Sequence, residues 1–453
     1  MSRRPLVLAL VLAMLPAAAQ ADDLLQSYTN ARNSDPLYAA AESSRALAAE
    51  RPVLARAVLL PQINGSVGYD LVNRGDRNEN GIGVDLGTSR SGSWGVSASQ
   101  SVFDYGNYTA LRAAKALDRA GGFDLEAAGL NLVTRTSAAY FNVLMQLETL
   151  SAAEAGETAL KKQFDFASKR LEVGLAPITD VHEARAQYEG ARANTILARN
   201  AVQDAYQALV EITGTPVANL KGLPDDFKPA LPEARDADGW VATALAENPS
   251  LKAQAADLEA AEHNIATARS GYYPTLGLGA SYGKAIPGLY DNPSFFGDND
   301  AQTSVGLTLN IPIFSGFATQ SNVRSALAQR DISQDQLEQQ RRALERNTRN
   351  AYQTLVAGIS EVESRRLSLF AAQSAADASQ VGLEVGTRTV LDVLLNQRTL
   401  FAAQQAYAQT KYTFLQSRLL LEQAAGTLEI SDVEDINRLL TTDQSIARAL
   451  GSP

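Results

Sequence analysis

The sequence predicts a membrane α+β protein, duplicated internally, in which strands and not helices cross the bilayer. Three observations carry that prediction. Landmarks recur with an offset of about 212 residues, two stretches of about 67 residues lack proline and repeat apolar residues at coiled-coil spacing, and four shorter segments alternate strictly. No internal stretch approaches the roughly 18 consecutive apolar residues that a spanning helix needs.

The chain opens with the pattern of an export signal. Ser2-Arg3-Arg4 is a short basic region, Leu6 to Leu15 is apolar, and Ala19-Gln20-Ala21 is a small-x-small cleavage site before Asp22. The expected organisation is a signal peptide at 1–21, a first structural repeat at 22–247 and a second at 248–453. The repeat is read from paired motifs. Asp35-Pro36 returns as Asn248-Pro249, Leu60-Pro61-Gln62-Ile63 as Tyr273-Pro274-Thr275-Leu276, Ser101-Val102-Phe103 as Pro312-Ile313-Phe314, and Gly214-Thr215 as Gly426-Thr427. Offsets between 211 and 213 along the whole chain mark one architecture used twice, since the period is far too long for a solenoid.

Composition removes several classes. The chain has no Cys, which excludes disulfides, thiolate metal sites, iron-sulfur clusters and an acylated lipoprotein terminus, and only two His, at 182 and 263. No cofactor and no catalytic activity are expected. Net charge is −10 and becomes −12 without Arg3 and Arg4, so nucleic acid is not an expected partner.

Within each half the hydrophobic period changes. Leu24 to Leu59 is helical, with breaks or kinks expected at Pro36 and Pro52. Gly106 to Glu172 and Ala318 to Glu384 carry apolar residues at steps of seven and four: Leu125, Leu132, Ala139, Val143 and Leu150 match Leu337, Leu344, Ala351, Leu355 and Val362. At 1.5 Å per residue each makes a rod of about 100 Å. Asp180 to Thr213, Ser250 to Ser270 and Asp392 to Ala425 complete four helical columns. Between helices lie the alternating strands: Ile63 to Leu71, Trp94 to Ala98, Leu276 to Tyr282 and Val305 to Ile311, apolar on one face and small or polar on the other. Polar connections, Asn73 to Ser91 and Lys284 to Ala301, join them at one end. The Pro-rich stretch Gly214 to Pro232, with a short helix at Trp240 to Ala246, and the matching Gly426 to Leu450 interrupt the helices.

Four strands cannot close a membrane barrel, for which about eight is the minimum, and open edges in lipid leave backbone groups unpaired. Other copies of the chain must complete it. Two, three or four copies give eight, twelve or sixteen strands, and pattern alone does not choose.

With the turn motifs Val173-Gly174-Leu175-Ala176-Pro177-Ile178-Thr179-Asp180-Val181 and Val385-Gly386-Thr387-Arg388-Thr389-Val390-Leu391-Asp392-Val393, the mature chain resembles outer-membrane efflux proteins of the TolC type. The resemblance implies a homotrimer with a 12-stranded β-barrel, four strands per protomer, in the outer-membrane lipid of a Gram-negative bacterium. A long α-helical coiled-coil barrel continues it across the periplasm. Twelve columns about 10 Å apart give a bore of roughly 28 Å. It also implies an exit duct for drug efflux, type I protein secretion or both, docked to a periplasmic adaptor protein and an inner-membrane pump. In that family the two turns form the periplasmic entrance. Val173, Gly174, Leu175, Val385, Gly386 and Thr387 then lie at the tip turns that meet the adaptor. Thr179, Asp180 and Arg388 match gate positions, and Asp392 matches an acidic ring in the lumen. The chain departs from the family with Leu383 at a position that can hold a latch Tyr, and with Leu395 where a second acidic ring can lie. A missing Cys near Ala21 places it with the unlipidated branch.

Plainer roles accompany these. Gly174 and Gly386 serve as helix C-caps and Asp180 as an N-cap, while Arg388 and Asp392 have the spacing of a surface ion pair. Gly279-Ala280-Ser281-Tyr282-Gly283 fits a hydrolase nucleophile pattern but lies in an alternating strand and not at a strand-to-helix elbow. Arg341, Arg342, Arg346 and Arg349 form a solvated helix face. The alternative to a duct is a non-channel coiled-coil scaffold anchored in the outer membrane.

Overall fold

A computed structural model describes residues 23–73, 77–79, 82–84, 88–175, 177–217, 219–224, 226–231, 235–286 and 301–445. The signal peptide expected at 1–21 lies outside them, as does most of the polar connection after Lys284. The helices are α1 (Leu24–Ser34), α2 (Pro36–Ala57), α3 (Tyr105–Glu172), α4 (Ile178–Thr213), α5 (Ala237–Glu247), α6 (Pro249–Arg269), α7 (Ala318–Glu384), α8 (Val390–Ala425) and α9 (Ile430–Leu439). The strands are β1 (Gln62–Asn73), β2 (Arg77–Glu79), β3 (Ile82–Val84), β4 (Thr88–Phe103), β5 (Asn219–Gly222), β6 (Thr275–Ala285), β7 (Gln302–Asn310) and β8 (Thr442–Ser445). With 68 and 67 residues, α3 and α7 are the expected long rods. Among the described residues no helix is long and apolar enough to cross a membrane.

The chain divides into two compact units, one of Ser43–Asp124 with Leu251–Gln339, the other of the remainder. The first holds a four-stranded antiparallel sheet in the order β1-β4-β6-β7. Its register puts all four apolar alternations on one face: Ile63 lies opposite Ala98, Ala98 opposite Ala280, and Ala280 opposite Val305. Asn64, Ser97, Ser281 and Ser304 form the matching row on the other face, where Ser281 and Ser304 hydroxyls are 2.8 Å apart. Ile63, Val67, Val305 and Leu307 are exposed, which is the burial of a face awaiting an apolar medium. Rings cluster at both ends of that face, Trp94 against Tyr282 (5.6 Å) and Tyr105 against Tyr273 (5.4 Å).

Below the sheet α3 is held on two sides. Arg45 of α2 pairs with Asp118, and Ala48 packs so close to Gly121 that a Cβ there would stand 2.5 Å away. Arg119 pairs with Glu259 of α6 at 2.6 Å, and Thr109 bonds Thr267 at 2.8 Å. The anchoring of α2 explains a departure from expectation: Pro52 sits inside a continuous helix. A proline forgoes one backbone bond to the carbonyl four residues back, and tertiary contacts outweigh that loss here. Only the break at Asp35 occurs, where the Asp35 carboxylate accepts from Tyr38 N–H at 3.0 Å and pairs with Arg135 at 2.5 Å.

The second unit has the main apolar core, with Leu132, Tyr140, Leu144, Leu209, Leu355, Leu415 and Leu419 on the long helices. The Pro-rich insertion is folded onto this core. Its strand β5 pairs with β8, so the insertion of the first half is laced to the last described residues of the chain. On the core side, Tyr140 OH donates to the Lys221 carbonyl and accepts from its N–H, both at 2.9 Å; Tyr206 OH accepts from Val217 N–H and Tyr412 OH from Leu223 N–H. Tyr412 donates to Glu148 at 2.7 Å, and Lys411, only 2% exposed, pairs with the same carboxylate at 3.1 Å. Leu428, Val433 and Ile436 are buried as the sequence implied, whereas Ile430 and Leu439 are exposed.

Candidate functional site

Both helix-to-helix turns are built from glycines in the left-handed region, φ +75° at Gly174 and +82° at Gly386. Each closes a helix with paired backbone bonds. Leu175 N–H reaches the Arg170 carbonyl (2.8 Å) and Gly174 N–H the Leu171 carbonyl (2.9 Å); Thr387 N–H reaches Gly382 (2.8 Å) and Gly386 N–H reaches Leu383 (3.2 Å). The C-cap roles expected of Gly174 and Gly386 are therefore made.

The next helix starts differ, and here one expectation is corrected. Asp180 is not the N-cap of α4. Pro177 holds that position, with no side chain to offer, and Asp180 lies in the first turn. In the second turn the corresponding residues are Thr389 and Asp392, and they form a reciprocal capping box. Asp392 N–H donates to Thr389 Oγ1 (3.2 Å), while the Asp392 carboxylate accepts from Thr389 N–H (3.0 Å) and from the Thr389 hydroxyl (2.9 Å). The backbone N–H of Thr389, its hydroxyl and the Arg388 charge together hold the Asp392 carboxyl below the ordinary aspartate range.

Arg388 is exposed and makes no ion pair with Asp392 among the described residues. It leans along the end of α7 across Gly382, where a Cβ would meet Arg388 Cγ at 2.6 Å. Thr179 is exposed and Asp180 half-buried; neither side chain has a partner among the described residues. The structure does not join Thr179, Asp180 and Arg388 to one another within a protomer.

It does bring the helix ends together. Leu160 and Ala167 of α3, Ala184 of α4 and Leu394 of α8 form one cluster, with Phe164 stacked on Tyr188. Gln163 donates to Gln380 of α7 at 2.8 Å. Val173, Leu175, Ile178 and Val385 stay exposed around this cluster. Leu383 is buried and Leu395 exposed. Thr389 and Gly382 are the residues that sequence reading passed over. The Thr-x-x-Asp spacing at 389–392 is a capping-box signature and could have found the first; nothing local marks Gly382, because its role depends on where Arg388 folds back.

Other residues singled out by sequence lie elsewhere. Ser281 is in mid-strand, His182 is exposed on α4, and His263 stands 3.7 Å from Glu259. Arg349 pairs with Asp238 at 2.9 Å and Arg346 reaches Asn347. Among the described residues no group of acidic and histidine side chains could hold a metal.

Sheet, rods and glycine turns define a class of outer-membrane channel protein, and comparison gives the family. The profile of the outer membrane efflux protein family matches residues 27–215 and again 240–427. The outer membrane protein TolC of Vibrio cholerae is 32% identical over 96% of this chain and 97% of its own length. The alkaline protease secretion protein AprF of Pseudomonas aeruginosa is 27% identical over 96% and 91%. The CmeC outer membrane channel of Campylobacter jejuni superposes with a TM-score of 0.75 at 17% identity, over 92% and 90%. The chain belongs to the outer membrane efflux protein family. It is an outer-membrane protein serving export, and its relatives are transport proteins.

Proposed function

We propose that three copies of the chain close a 12-stranded barrel in the outer membrane and continue it as a helical barrel. The assembly is a passive exit duct whose entrance is the ring of turns around Gly174 and Gly386. Behind a signal peptide at 1–21, the repeats 22–247 and 248–453 each supply two strands and their helices. The observation that carries this reading is the sheet: it has one continuous apolar face, and its outer strands β1 and β7 have no partner on their free edges among the described residues. Such edges are costly in lipid unless another copy pairs with them. Because the strands alternate in direction and number four, any whole number of copies closes without a parallel mismatch. Family membership supports three.

The duct does no chemistry and takes its energy from an inner-membrane pump through a periplasmic adaptor that meets Val173, Leu175, Val385 and Thr387. Thr179, Asp180 and Arg388 hold the resting entrance by contacts between neighbouring coils, since none is satisfied within its own chain. Asp392 contributes one carboxylate per copy to a ring in the lumen. The substrates are small toxic molecules or secreted proteins, in keeping with relatives named for protease secretion and pyoverdine export.

Single-channel recording of the purified protein in a planar bilayer, with its mass in detergent, tests the reading. A small, cation-preferring conductance from a trimer is expected. A monomer without conductance would return the protein to the scaffold class.

A further inference from the structure

The junction between the two halves of the chain is visible in full, and its duplicate is missing from the protomer. At the visible junction β4 pairs with β6, with Ala98 opposite Ala280 and Val96 opposite Tyr282. Beneath it α3 meets α6 along Thr109, Ala113, Ala116 and Ala120, all at 4% exposure or less, against Thr267, Ala260 and Ala256. These residues share one face of each helix, at steps of four, three and four on α3.

Their duplicates have lost that cover. On α7 the positions 212 later are Ser321, Ser325, Ala328 and Ile332, all exposed. On α2 the positions 213 earlier are Leu54, Leu47 and Ser43, also exposed, with Leu47 at 66%. The exposure is confined to this face, since Ser333, the duplicate of Gly121 on another face of α7, is buried. α2 leads into the edge strand β1, and α7 follows the edge strand β7. The uncovered faces therefore lie under the two free edges.

Resting on the assembly proposed above, we infer that the seam between copies repeats the internal junction residue for residue. β7 of one copy pairs with β1 of the next, with Leu309 opposite Val67 and Leu307 opposite Tyr69. Offsets of 211 at the end of β4 and 213 at the start of β6 give this register, and they keep apolar face against apolar face. Beneath it, Leu47 and Leu54 fill the space left by Ala328, Ser325 and Ser321. Large residues on α2 replace the alanines of α6, and small ones remain on α7, so the two surfaces fit as knobs and holes.

The absence of Cys makes the test clean. Directly opposed Cα atoms in antiparallel strands are about 4.5–5.5 Å apart, within disulfide range, whereas diagonal neighbours are about 7–8 Å apart. Paired Leu309→Cys and Val67→Cys should oxidise to covalently linked oligomers at least about tenfold more than paired Leu309→Cys and Tyr69→Cys. Ser321→Cys with Leu54→Cys should link copies independently at the level of the Thr109 to Thr267 bond. Ala98→Cys with Ala280→Cys is the control, closing within one chain. If the mass in detergent remains oligomeric while links form only in a shifted register, the seam is wrong and the assembly stands. A monomeric mass would overturn the assembly and the seam with it.

Discussion

Thr389 and Pro177 occupy the same place in the two turns and do opposite things. Thr389 fixes the start of α8 and ties up Asp392, while Pro177 leaves the α4 start uncapped and Asp180 unengaged. Asp392 is thus first a capping residue, and any electrostatic effect in the lumen comes from a carboxylate held in one orientation. Its depressed pKa sets the sign of the pH dependence. A carboxylate with a lowered folded-state pKa contributes to the turn above the unfolded value near 3.9, and that contribution is lost only as pH falls through the lower folded value. The turn should therefore be insensitive to pH between about 5 and 8. Thr389→Ala removes the hydroxyl bond, so cation preference should fade at a higher pH than in the parent, read from reversal potentials across a pH series. An unchanged midpoint would mean that Thr389 does not set the charge of Asp392.

Gly382 gives a second prediction at this scale. Arg388→Ser removes the guanidinium, while Gly382→Ala keeps the charge and pushes the side chain off the helix end. If Arg388 holds the entrance by position, both substitutions raise single-channel conductance several-fold, since either cuts a charge-assisted contact between coils. An increase in the first variant alone would assign the hold to charge and not to placement.

At the scale of elements, the insertion 216–231 is fixed by tyrosines and not by a core of its own. Three hydroxyls satisfy the backbone of the β5 segment on one side, and β8 does so on the other. Tyr140→Phe strands both polar groups of Lys221 in a mostly buried setting, at a cost of about 1–3 kcal/mol. Thermal unfolding should shift down, and limited proteolysis should first cut the insertion; a variant that resists cleavage like the parent would show the clamp to be dispensable. Lys411→Met is predicted to be more damaging, about 3–5 kcal/mol, because it leaves Glu148 facing an apolar core with its charge uncompensated.

These elements also show what a sequence reveals. The rods were legible to within a residue or two, since heptad spacing persists for 67 residues and glycine ends both. The four strands were legible because alternation is strict when opposite faces meet different media. By contrast β5 and β8 are four residues each, with no alternation, and their pairing joins positions more than 200 residues apart. Tyr140, Tyr206 and Tyr412 look like ordinary core residues, because a hydroxyl's partner is set by the fold and not by its neighbours in sequence. Pro52 misled for the same reason: a local rule yielded to the packing of Ala48 and Arg45 on α3.

For the whole molecule, the distribution of charge decides where selection occurs. Among described residues the polar face of the sheet is Gly, Ser, Thr, Asn and Gln with a single charge, Asp70 on β1. A bore of roughly 28 Å puts its axis about 14 Å from the wall, beyond the ~10 Å Debye length of 0.1 M salt. Ions crossing that section barely sense Asp70. At a constricted entrance the same number of carboxylates lies within a Debye length of every ion, where a ring of like charges favours cations. Reversal potentials in 0.1 M salt should therefore show Asp392→Ala bringing the cation-to-anion permeability ratio down toward about one, with Asp70→Asn leaving it near the parent value. Raising the salt to 1 M, where the Debye length is about 3 Å, should weaken selectivity in the parent and change little in Asp392→Ala. If Asp70→Asn instead removes the preference, selection belongs to the barrel and Asp392 serves only as the cap of its helix.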